Sequence, residues 1–128
     1  MSSLAANHPC PCGSGATYDA CCGPVVRNER QAEGVEQLMR SRYTAYVVAA
    51  EDHLFRTWHP RTRPEDLSPD PGLAWTGLEV LDVDQDEGTG EVEFRAHWTF
   101  NGQQGALHER SRFDLRAGRW VYLDGTPL

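Results

Sequence analysis

The chain contains no lysine: its twelve basic residues are all arginine, against nineteen Asp and Glu, which leaves a formal charge of −7 over 128 residues. A basic face able to displace phosphate counterions is not expected from that balance, so nucleic acid is excluded as a partner. No apolar run approaches the length needed to cross a bilayer, so no membrane partner is expected. Residues Met1 to His8 carry neither a basic region nor an apolar core, so the expectation is a soluble, cytoplasmic chain without a secretory leader. Cysteine is missing from everything after Cys22. A disulfide-stapled domain distributes cysteines along its length, and this chain does not.

What is present is concentrated at the start. Cys10-Pro11-Cys12 and Cys21-Cys22 form a C-x-C-x8-C-C pattern, four soft ligands at the count of a tetrahedral zinc site. Gly13 and Gly15 open the intervening loop, where positive φ lets the backbone turn and bring both pairs together. A disulfide or redox pair is the rival reading. The clustering and the reducing compartment favour zinc. Four protein ligands leave no open position for water or substrate, so the ion is expected to be structural and to fold a segment too short for a core of its own. Such a tetrathiolate carries a net charge of about minus two, a further objection to phosphate binding. The module is assigned to residues 1–27.

Residues 31–128 read as one α+β domain. From Gln31 to Ala50 the apolar residues Val35, Leu38, Met39, Tyr43, Tyr46, Val47 and Ala50 recur at spacings of three and four, one buried helical stripe. A second short helix is expected over Asp52 to Trp58, stopped by Pro60. Arg61 to Gly77, with Pro64, Pro69, Pro71 and Gly72, reads as a connecting segment holding a single aromatic residue, Trp75. Strands follow at Leu78 to Val83, Glu91 to Phe100, Leu107 to Leu115 and Arg119 to Leu123. The second alternates strictly, with Val92, Phe94, Ala96, Trp98 and Phe100 on one face. Asn101-Gly102 signals a hairpin, and Gln103-Gln104-Gly105 suggests a longer loop there. The expected architecture is two helices packed on one face of a curved antiparallel meander.

Two charged residues break the apolar pattern. Arg42 lies on the helix stripe between Leu38 and Tyr46, and Glu109, with Ser111, interrupts the face that carries Leu107, Phe113 and Leu115. Each is costly to bury alone, and each is an obvious partner for the other. They make either a buried structural ion pair or the polar floor of a ligand pocket walled by Tyr43, Tyr46, Trp58 and Trp98. His108 should point away from Glu109, so a dyad of the two is not expected.

Cys10-Pro11-Cys12-Gly13-Ser14-Gly15, Tyr18 and Cys21-Cys22-Gly23 resemble the SEC-C motif, the zinc-binding module also found at the end of the SecA translocation ATPase. With Leu38-Met39-Arg40-Ser41-Arg42-Tyr43-Thr44-Ala45-Tyr46, Thr57-Trp58-His59-Pro60 and His108-Glu109-Arg110-Ser111-Arg112-Phe113, nearly the whole chain resembles a bacterial YchJ-like protein. The resemblance implies zinc at Cys10, Cys12, Cys21 and Cys22, and a cone of helices against a curved sheet similar to nuclear transport factor 2. It implies no settled activity. Related SEC-C modules dock onto export factors or ribosomes and commonly carry lysines in the loop; here Ala16 and Thr17 stand in those places.

Two function classes follow. In the first, the protein is a zinc-binding adaptor that docks a protein partner through the module. In the second, the cone binds or transforms a small molecule, with Arg42 and Glu109 orienting it. A carboxylate beside an arginine is held ionised and makes a weaker base, so no reaction is assigned and catalytic residues are left unnamed.

Overall fold

Strict alternation over 89–100 places Val92, Phe94 and Ala96 on a buried face, and this strand is the spine of the molecule. The computed structural model describes residues 5–68 and 70–128; residues 1–4, part of the leader reading, and the loop-marking Pro69 lie outside the described residues. Strands β1 (Leu73–Gln85), β2 (Thr89–Phe100), β3 (Gln103–Arg116) and β4 (Arg119–Pro127) form a four-stranded antiparallel meander in sequential order. Phe100 pairs with Gln103 and Arg116 with Arg119, so both later hairpins close through two residues. Asn101 and Gly102 have φ of 50° and 79°, Ala117 and Gly118 of 52° and 79°, the doubled positive φ that matches strand twist. The longer loop expected at 103–105 is therefore corrected. Those residues continue the ladder because the Asn-Gly pair suffices to reverse the chain.

β1 also begins earlier than expected. Leu73, Ala74 and Trp75 pair with Phe100, Thr99 and Trp98, and the register slips between Trp75 and Gly77. That irregularity breaks the period of two, which hides the first three strand residues within a proline-rich stretch. A slip in the β3–β4 pairing leaves Leu123 without a register partner, and β4 runs beyond its expected end at Leu123 to Pro127.

Among the described residues three α-helices precede the sheet, α1 (Cys22–Val26), α2 (Val35–Val48) and α3 (Glu51–Arg56), with one 3₁₀ turn at Tyr18–Ala20. α2 starts where the Gln85 side chain accepts a 2.8 Å hydrogen bond from the Val35 N–H, so the end of β1 caps the helix. Its stripe, Val35, Leu38, Met39 and Tyr43, is buried, but so are Ser41, Thr44, Ala45 and Val48. A helix buried on two sides must lie between layers. Ser41 reaches α3 through His53 at 2.9 Å, and Thr44 lies 3.8 Å from the Cys10 sulfur. Cys10, Cys12, Tyr18, Cys22 and Val26 accordingly share one apolar cluster with Leu38, Tyr43, Phe94 and Phe113. No helix among the described residues is long and apolar enough to cross a membrane.

Candidate functional site

The cysteine knuckle is built by short-range backbone bonds. Cys10 N–H donates to Ala16 at 2.9 Å, Tyr18 N–H to His8 at 2.7 Å, and Pro9 bridges Thr17, a miniature hairpin turned by Gly13 and Gly15 at φ of 78° and 90°. All four Sγ atoms lie within 4.8 Å of one another, and all four cysteines are free. Cys12 and Cys21 are 3.6 Å apart and Cys21 and Cys22 3.9 Å. A tetrahedron with metal–sulfur bonds of about 2.3 Å has sulfur–sulfur edges of about 3.8 Å, so the donor set fits one soft ion. The Cys22 thiol is pushed far up by its contacts with Cys10 and Cys12 and by burial. Thiolates this close repel unless a cation joins them.

Groups around the sulfurs complete the module. The Ser14 hydroxyl lies 3.2 Å from the Cys21 sulfur, and with the thiols ionised it is the hydroxyl that donates. Arg40 on α2 donates to the Cys12 carbonyl at 2.8 Å and to Glu36 at 3.0 Å, placing a guanidinium against the anionic cluster. The chain thus carries a metal-binding module whose scaffold includes α2.

A second feature lies between α2 and the sheet. A cavity of about 230 Å³ is lined by Met39, Tyr43 and Tyr46 of α2, Trp75 of β1, Phe94 and Ala96 of β2, and Leu107 of β3; its polar groups are Arg42, Glu109, Ser111 and Tyr122. Trp58 closes one end. It is drawn there because the segment after α3 pairs with β4: Tyr122 N–H donates to Thr57 at 2.7 Å and His59 N–H to Tyr122 at 2.8 Å. Of the residues expected around Arg42 and Glu109, Tyr43, Tyr46, Trp58 and Ser111 line this cavity. Trp98 does not; it borders a shallow groove with Leu73, Phe100 and Gln103, beyond the reach of α2.

Of the two arrangements open for Arg42 and Glu109, the direct ion pair is not formed. Arg42 is turned toward α3 instead, where Nη1 donates to the Leu54 carbonyl at 3.2 Å and to Thr57 Oγ1 at 2.8 Å. The carbonyl end of a helix attracts a cation, and here the Leu54 carbonyl shares one Arg42 nitrogen with the Thr57 hydroxyl. The guanidinium carbon sits 4.8 Å from the ring centres of both Trp58 and Tyr122. Burial draws the Arg42 pKa down to about 10, far enough above neutral that it stays charged. Glu109 accepts hydrogen bonds from Ser111 at 2.6 Å and from Tyr122 at 3.4 Å. Burial, then the Glu109 charge, pushes the Tyr122 hydroxyl up, so it stays protonated as a donor. His108 faces away and bonds Glu93 at 2.8 Å.

Thr57 and Tyr122 were not among the expected site residues. The strand period placed Tyr122 only loosely, because the slip near Leu123 breaks it. Gly125 offered a signal, since a glycine inside a strand marks a close approach. The Glu109 carboxylate lies where its Cβ would be.

Comparison with known proteins agrees with this arrangement. Residues 34–125 match the family described as YchJ, middle NTF2-like domain, and residues 7–24 match the SEC-C motif. A UPF0225 protein of Streptomyces coelicolor is 50% identical over 94% of this chain and 96% of its own length. One from Deinococcus radiodurans is 50% identical over 91% of this chain and 87% of its own. The solution structure of RPA3114, a SEC-C motif containing protein from Rhodopseudomonas palustris, superposes with a TM-score of 0.84 at 36% identity, covering 93% of this chain and 98% of that one. A crystal structure of a SEC-C motif containing protein from Psychrobacter arcticus gives 0.78 at 26% identity, over 96% of this chain and 84% of that one.

Proposed function

This chain belongs to the YchJ-like family, a SEC-C motif joined to an NTF2-like domain, and from that premise we propose that it is a small-molecule-binding protein braced by a structural zinc ion. The observation that carries the reading is the cavity, where a buried guanidinium and a carboxylate, each with its own anchors, face space walled by aromatic side chains. A charged group held off its natural counterion at an unfilled site is what a binding pocket requires and a packed core avoids. Zinc at Cys10, Cys12, Cys21 and Cys22 fits the all-sulfur donor set and leaves no coordination site for chemistry.

The test uses the cavity's own reporters. Trp58 and Trp75 line it, so a ligand entering should change tryptophan emission and move the amide resonances of Ala96 and Leu107. Ala96→Leu fills the space from the sheet side and is expected to abolish those responses while keeping the fold. The reading fails if a panel of small acids, bases and neutral compounds at millimolar concentration leaves both signals unmoved.

Docking through the knuckle is the second reading, and it has a smaller surface to draw on. Gly13, Ser14, Gly15 and Thr17 face outward, but Cys10, Cys12, Tyr18, Cys22 and Val26 are turned into the core. The outward loop carries no charge with which to select a partner. Pull-down with wild type and a Ser14→Glu, Thr17→Glu variant tests it; equal recovery of bound proteins counts against docking.

A further inference from the structure

We propose that the cavity takes a small organic acid, its carboxylate held by the unused edge of Arg42 and its carbon body lying among Tyr43, Trp75, Phe94 and Leu107. The proposal rests on the reading of this cavity as a ligand site. A guanidinium can be contacted through its two faces and its edges, and here the contacts are unevenly filled. The Trp58 and Tyr122 rings lie over it. Nη1 is spent on Leu54 and Thr57. What remains is the edge formed by Nε and Nη2, which has no acceptor among the described residues, on a side chain only 4% exposed.

Two parallel N–H groups form the fork that fits two oxygens of one carboxylate. The hydrogen bonds to Leu54 and Thr57 hold the fork in place before a ligand arrives, so little side-chain freedom remains to be lost on binding. The cavity's other contents narrow the class. Among the described residues Arg42 is the only cation lining it, and Glu109 stands in the same space. With Glu109 in the same space a monocarboxylate leaves one net negative charge and a phosphate dianion leaves two, so in a largely apolar site the singly charged acid is the anion held at least cost. An amine would have to be held by Glu109, whose Oε2 already takes the Ser111 and Tyr122 hydroxyls, against the field of Arg42. The volume of about 230 Å³ lies below the range of about 300–1,000 Å³ that holds drug-sized ligands, which points to a compact acid with one ring or a short branched chain.

The experiment titrates the full-length zinc-loaded protein with phenylacetate and 3-phenylpropanoate, their primary amides, and phenethylamine, read by tryptophan emission and amide chemical shifts. The acids are expected to bind about tenfold or more tighter than the amides, the scale of hydrogen bonds to a charged group. Arg42→Met should erase that preference. Because Arg42 also ties α3, Glu109→Gln provides an independent arm: removing the like charge should tighten the acids severalfold and leave the amides unchanged. Amides that bind as well as acids, a stronger amine, or acids indifferent to Glu109→Gln would each overturn the assignment. A protein that binds none of these compounds, nor any of the broader panel, refutes the ligand-site reading itself, a result distinct from binding without preference for acids.

Discussion

The carboxylate of Glu109 lies across the backbone of Gly125 on the neighbouring strand, where an added Cβ would collide with Oε2, Cδ and Cγ. Glycine at 125 is therefore a condition for the position of Glu109, and with it for the bonds to Ser111 and Tyr122. Gly125→Ala should displace the flexible end of Glu109 from its bonds to Ser111 and Tyr122, costing about 1 kcal/mol of stability and altering the binding of any cavity ligand. Urea denaturation measures the first effect and tryptophan titration the second; a variant unchanged in both contradicts the placement.

The metal is expected to support the whole chain, because Cys10, Cys12 and Cys22 share an apolar cluster with Leu38, Tyr43 and Phe113. Chelation, or Cys12→Ala, should lower stability by several kcal/mol and the melting temperature by more than about 10 °C. Trp75, which packs edge-on to Tyr43 at 6.4 Å, should report the loosening in its emission. Metal content by elemental analysis and a thermal melt decide it: a chelated protein that melts where the loaded one does would show that the knuckle braces nothing.

His53 predicts how stability responds to acid. The Ser41 hydroxyl donates to the Leu38 carbonyl at 2.8 Å and must therefore accept from His53 Nε2, which leaves Nδ1 buried without a partner. Burial first, then Arg42 and Arg56, draw the His53 pKa down to about 3, with Asp52 opposing. The unfolded chain thus takes up this proton first. Stability should be full above about pH 6.5 and fall as pH drops toward 3, with a loss of about 2 kcal/mol between pH 7 and pH 5. His53→Gln should flatten that slope in denaturation measured at both pH values, at saturating zinc. An unchanged slope would show that other groups carry it.

Ala117 occupies a left-handed position, φ 52°, in the turn between β3 and β4. The same place in the preceding hairpin is held by Asn101, whose side chain tolerates that backbone region far better. Ala117→Asn should stabilise the protein by about 0.5–1 kcal/mol and raise the denaturation midpoint without altering the cavity. A lower midpoint would argue against a turn with two positive φ angles.

The sequence by itself determined the elements governed by short-range rules. Four cysteines at C-x-C-x8-C-C are enough to describe the metal knuckle, because its ligands and turn glycines lie within thirteen residues of one another. The period of α2 and the alternation of β2 are likewise local, and they sufficed for the order of α2, α3 and the four strands, though not for the short α1 at Cys22–Val26, which is too brief to show a period. Arg42 and Glu109 stood out for the same reason, each being a charge in an apolar row. Only the tertiary structure decided what those charges do. Arg42 is turned by a carbonyl and a hydroxyl twelve and fifteen residues away, Glu109 by a glycine on another strand, and Trp58 by a bridge to Tyr122. Register slips in β1 and β4 shift which side chains face inward, and no local period contains them. A helical stripe tells which residues will be buried, but whether the space beside them is filled depends on volumes contributed by every layer at once.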